Sequence, residues 1–210
     1  MNKYLVEFIG TFFLVLTIGC VVILRGTGPF VPLAIGSALM VMIYAGGHVS
    51  GAHYNPAVTL AVWIRGRCAT KDLVPYWLAQ IIGASLAAAA VSFLKGDAQV
   101  SAITVKVGPA LLAEFLFTFA LAYVVLNVAT AKGTTGNSFY GLAIGFTVMS
   151  GAFAVAPVSG AMFNPAVAFG VSIMGLSAWS NIWIYLVAEF AGGIAAALAF
   201  KALSREDRAA

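Results

Sequence analysis

Six apolar runs, at about 4–24, 30–49, 73–94, 107–129, 138–157 and 181–203, decide most of what this chain can become. A helix needs roughly 20 apolar residues to cross the ~30 Å hydrocarbon core of a bilayer, and each run is about that long. With 62% of residues hydrophobic and 9% charged, the usage is that of a membrane protein rather than a soluble domain. Six spans consume most of the 210 residues, so 1–210 reads as a single all-α membrane domain with little outside the bilayer. The formal charge of +4 comes from basic residues that stand singly between apolar runs. No basic tract of the kind that binds nucleic acid is present, and the charges read as topology signals. Cys20 and Cys68 lie in unlike surroundings, which excludes a disulfide framework, and no metal or cofactor site is expected. The first run could pass for a cleaved signal ending near Cys20. It continues through Leu24 and carries Glu7 inside it, so it reads as a retained span.

The second constraint is a duplication. Asn55-Pro56-Ala57 and Asn164-Pro165-Ala166 are 109 residues apart (164 − 55), and the offset recurs in Leu33-Ala34-Ile35-Gly36 against Leu142-Ala143-Ile144-Gly145. It recurs again in Val49-Ser50-Gly51-Ala52 against Val158-Ser159-Gly160-Ala161, and in Gly83 against Gly192. Glu7-Phe8 and Thr11-Phe12 match Glu114-Phe115 and Thr118-Phe119 at 107. Repeat one covers about 1–95 and repeat two about 107–203. Each holds three spans, an odd number, so the second copy enters from the opposite face and the repeat is inverted. Lys3, Arg65, Arg67, Lys71, Lys132, Lys201, Arg205 and Arg208 fall on one side of the membrane, and Arg25, Lys95 and Lys106 on the other. That bias puts both termini in the cytoplasm. Ala79, Gly83 and Ala87, then Ala188, Gly192 and Ala196, give the third and sixth spans small residues at four-residue spacing, which lets helices approach closely.

Asparagine is a preferred N-cap, and proline suits the first helical turn, so each Asn-Pro-Ala tripeptide starts a helix. The apolar stretches that follow reach only half a span, predicting re-entrant half-helices over 55–66 and 164–175. Non-helical backbone such as 50–54 and 159–163 is tolerated at membrane depth only where it lines a watery path or is covered by protein. Two half-helices meeting N-terminus to N-terminus focus about half a positive charge each on the midplane, which repels cations and protons and passes neutral dipoles. Glu7 and Glu114 are costly in lipid and must face inward.

Paired SGAHYNPA and SGAMFNPA segments in matched repeats, with a glutamate-led first helix in each, resemble the aquaporin and glycerol-facilitator family over nearly the whole chain. The resemblance implies six tilted transmembrane helices plus two half-helices, a pore in each subunit, and a homotetramer. It implies that Asn55 and Asn164 orient passing molecules as donors, although their residue type fits a purely capping role as well. By the same resemblance Glu7 and Glu114 anchor the backbone of the re-entrant loops. His48 and His53 flank the first loop and read as loop-fixing or pore-lining, His48 with the anchoring group and His53 along the pore wall with Gly51 and Gly160.

The chain departs from the family where relatives usually follow the second motif with arginine. Here that position is Val167, and counting without gaps puts the other filter positions at Ile35, Ala152 and Ala161. A slip of one residue would bring Gly151 or Phe153 to the place of Ala152. Four small or aliphatic side chains cannot form a ring of bare water width. The expected function is therefore a passive channel for water and small uncharged solutes: glycerol or other polyols, urea, neutral metalloid or organic acids, and hydrogen peroxide. A water-selective channel with a relaxed filter is the alternative, and a secondary transporter with broken helices is a further one. No constellation for catalysis is found, and the short loops fit a bacterial inner membrane.

Overall fold

The computed structural model describes residues 1–23, 28–204 and 207. Arg25, Arg205 and Arg208, used above to orient the chain, lie outside the described residues. Six long helices are found among those described: α1 (Asn2–Ile23), α2 (Val31–Ser50), α4 (Thr70–Leu94), α5 (Val107–Thr130), α6 (Tyr140–Ser159) and α8 (Ile182–Leu203). Two short ones, α3 (Pro56–Ile64) and α7 (Pro165–Ile173), follow the Asn-Pro-Ala asparagines. The long helices have 20 to 25 residues, enough at ~1.5 Å per residue to cross hydrocarbon, and they are apolar on their outer as well as inner faces. Leu5, Phe13, Leu78, Leu86, Leu116, Phe146 and Leu198 are exposed on the outside, where lipid is the solvent that suits them. The molecule is an integral membrane protein.

Helices pair with like partners: α1 lies along α4, α5 along α8, and α2 along α6. Small residues make these crossings close. A Cβ on Gly83 would come within 2.6 Å of the Phe8 carbonyl oxygen, and one on Gly192 within 2.6 Å of the Phe115 carbonyl oxygen. At the α2/α6 crossing, Gly36 and Gly145 face each other's carbonyl oxygens in the same way.

The half-helices are shorter than the sequence suggests. Asn55 and Asn164 are caps rather than helical residues, and the far ends stop at Ile64 and Ile173 rather than at 66 and 175. The stop is local. Gly66 and Gly175 adopt φ of 85° and 78°, and beyond them Arg67 N donates to Val62 O and Leu176 N to Val171 O. That six-residue closure over a left-handed glycine turns the chain out of the helix.

Candidate pore

Each half-helix begins at an asparagine in extended conformation. Asn55 Oδ1 accepts from the amides of Ala57 and Val58 at 2.8 and 3.2 Å, and Asn164 Oδ1 from those of Ala166 and Val167 at 2.9 and 3.4 Å. The amide nitrogens then cross between the halves. Asn55 Nδ2 donates to the Phe163 carbonyl and Asn164 Nδ2 to the Tyr54 carbonyl, both at 2.8 Å. Every side-chain amide nitrogen carries two hydrogens, so capping and bracing leave one N–H on each asparagine for the lumen that both residues line.

The loops that feed these caps are strained. Gly51, Ala52 and Tyr54 have φ of 86°, 51° and 49°, and Gly160, Ala161 and Phe163 have 94°, 55° and 50°. Non-glycine residues in this region are costly, and the neighbouring amides lack helical partners. Buried carboxylates supply what is missing. Glu7 accepts from His53 N at 2.9 Å, Tyr54 N at 2.7 Å, Ser50 Oγ at 2.7 Å and Gln80 Nε2 at 2.8 Å. Glu114 accepts from Met162 N at 3.0 Å and Phe163 N at 2.7 Å. Tyr76 and Tyr185 hydroxyls clamp the last helical carbonyls before the loops, Ser50 at 2.7 Å and Ser159 at 2.9 Å.

His48 does not belong to this anchor. Helix α2 runs on through Ser50, which leaves His48 exposed on its outer turn with no hydrogen bond to the loop; Ser50, Tyr76 and Gln80 do that work. His53 is buried, its Nδ1 3.2 Å from Thr59 Oγ1 and its ring 5.1 Å from that of Tyr76. The supporting residues that sequence reasoning passed over carried a signal. Ser50 and Ser159, Tyr76 and Tyr185, and Gln80 and Glu189 are all separated by the same 109 residues.

Two cavities lie inside the bundle. One, of about 300 Å³, opens away from the chain ends and contains Ile35, Ala152, Ala161 and Val167 together with both asparagines. The other, of about 790 Å³, opens on the face that carries both chain ends, beside Lys3, Arg67, Asp72 and His48. His53 and Val125 line both, so the two cavities adjoin at these side chains. Gly160 borders the first cavity and Gly51 the second. Ala152 lines the first cavity. Phe153 points outward and is 55% exposed, while Gly151 packs on Phe117 and Phe163. Aliphatic side chains dominate the wall. Against them, Ala52, His53, Ala161 and Met162 line the first cavity, and their carbonyls accept no hydrogen bond from the described residues.

The Major intrinsic protein family model matches residues 1–200. The chain belongs to the major intrinsic protein family. Glycerol uptake facilitator protein-like 6 of Lactiplantibacillus plantarum is 40% identical over 99% of this chain and 100% of its own length. Aquaporin NIP1-1 of Arabidopsis thaliana is 37% identical, over 99% of this chain and 75% of its own length. The X-ray structure of the aquaglyceroporin from Plasmodium falciparum shares the fold, with a TM-score of 0.83 at 22% identity over 99% of this chain and 98% of that one. Proteins of the major intrinsic protein family are passive channels for water and small neutral solutes; this chain is such a channel and not an enzyme.

Proposed function

We propose that the channel passes water together with uncharged solutes of glycerol size through a filter formed by Ile35, Ala152, Ala161 and Val167. One observation carries this reading. The four side chains share one lumen with Asn55 and Asn164, and none of them bears a polar group. With valine where relatives usually have arginine, nothing in the ring narrows the path to a single water or donates hydrogen bonds across it. A lumen of about 300 Å³ compares with the ~30 Å³ that a water molecule occupies in the liquid. The lining combines loop backbone and asparagine amides with aliphatic carbon, which suits a molecule that carries both hydroxyls and CH groups. Glycerol and other polyols, urea, undissociated metalloid or organic acids and hydrogen peroxide fit that description. The name of the Lactiplantibacillus relative agrees with it. Ions are refused by desolvation in an apolar wall and by the two half-helix N-termini at Asn55 and Asn164.

On the same reading the two repeats, 1–95 and 107–203, work as one channel unit in a homotetramer embedded in lipid, with both termini cytoplasmic, in a bacterial inner membrane. The basic residues on the chain-end face support the orientation. Light scattering by proteoliposomes in osmotic gradients of glycerol, urea and a neutral metalloid acid, with water measured alongside, tests the filter. Rapid, non-saturating solute flux is expected. Water flux alone would leave a water-selective channel, and saturable uptake driven by an ion gradient would leave a transporter.

A further inference from the structure

Two carboxyl groups are buried side by side behind the second loop, and the loop uses only one of them. Glu114 holds the Met162 and Phe163 amides. Glu189 of α8 is as fully buried, lies against Glu114 and the backbone at Asn164, and neither of its carboxyl oxygens has a hydrogen-bond partner among the described residues. In the first half the equivalent place, 109 residues earlier (189 − 80), belongs to Gln80. The Gln80 amide donates to Glu7 at 2.8 Å and to Thr59 Oγ1 at 3.0 Å. Alanine at position 168 replaces that threonine in the second half, so Glu189 lacks the hydroxyl that Gln80 engages.

Two ionised carboxylates cannot share a buried site without a cation, because repulsion adds to the cost of removing each charge from water. Among the described residues no cation is at hand. The elements packed on α8 besides α5 are α3, α7 and the short turn Trp179–Asn181, and none carries a titratable residue. On α8 itself the nearest such group is Tyr185, whose hydroxyl is engaged with the Ser159 carbonyl. We propose that Glu189 is a neutral carboxylic acid that donates its proton in a hydrogen bond to Glu114, and so positions the second pore loop as Gln80 positions the first. The pair then holds one proton and one negative charge. Glu114 keeps its full accepting capacity for the loop amides, and the donor Asn164 stays in register. Glu189 is a positioning residue, and its effect does not depend on which neutral solute passes.

Infrared spectroscopy of the native protein in liposomes tests the protonation directly. At neutral pH a carboxylic-acid carbonyl band that shifts in heavy water is expected, and Glu189→Gln should remove it. Flux tests the role. Glu189→Leu should lower solute flux severalfold, Glu189→Gln should recover most of that loss, and native flux should fall severalfold at alkaline pH while that of the glutamine variant does not. The native spectrum requires no variant to fold, and absence of the band at neutral pH overturns the proposal. So does a glutamine variant whose pH profile follows the native one, or one no better than leucine in well-folded protein.

Discussion

At the scale of single residues, the channel rests on groups that each do two things. Asn55 and Asn164 each cap a helix and brace the opposite loop. Leucine at either position should cut solute flux by severalfold to about tenfold, since a donor to a passing solute contributes about 0.5–1.5 kcal/mol. Asn127→Leu is the control, because that amide bonds only to Tyr123 of its own helix. Equal effects at all three sites in folded protein would remove the pore role. Val167→Arg should place a cation and five donors beside Ala152 and Ala161, in a cavity now walled by carbon. Glycerol-sized flux should fall much more than water flux when both are measured in the same liposomes. An unchanged ratio would mean that Val167 does not set the constriction. Asn137 would make a poor control, because its amide donates to the Val128 and Thr134 carbonyls at 2.7 and 2.6 Å.

At the scale of elements, close crossings hold the spans together. Gly192→Ala would drive a Cβ toward the Phe115 carbonyl oxygen at 2.6 Å and the Phe119 amide at 2.9 Å. Because both are backbone, neither can swing away, and α5 and α8 must separate. The expected cost is about 1–3 kcal/mol, seen as a lower melting temperature in detergent or reduced folded yield. The helices themselves were legible from apolar run length, and the half-helix starts from Asn-Pro, because both are local properties of the chain. His48 and His53 were less so. Whether a histidine faces the vestibule or the lumen depends on α2 continuing through Ser50 before Gly51 turns the backbone at φ 86°.

For the whole molecule, the chain's far end is tied to the first half. Arg65, at the C-cap of α3, donates to Asp207 at 2.8 Å and stacks over the Phe200 ring at 5.0 Å. Both partners of the ion pair are buried, so removing the anion strands a cation, although the negative end of α3 softens the loss. Asp207→Ala should lower thermal stability by about 2 kcal/mol or more while leaving the solute selectivity of folded protein as it was. Thermal unfolding followed by intrinsic fluorescence, together with the flux panel, would check both parts. Orientation has its own test. Cys68 borders the cavity on the chain-end face and Cys20 lies within a span, so an impermeant thiol reagent should label Cys68 from the cytoplasmic side only. Labelling of intact cells from outside would reverse the assigned topology.

The sequence by itself determined a six-span membrane channel made of two inverted copies, each re-entering at a capped half-helix. Those features rest on local chemistry and on one repeated offset, and both can be counted along a chain. It also located the four aliphatic positions that share the lumen. Only the tertiary structure decided which carbonyl each asparagine braces, with partners 108 and 110 residues away, and which side chains serve each loop carboxylate. It also revealed that the second anchor faces a lone carboxyl where the first has an amide donor. Matching residue types at a fixed offset indicates that two halves fold alike. Hydrogen-bond partners across the interface are set by how closely the helices approach, and that distance is not written in either copy alone.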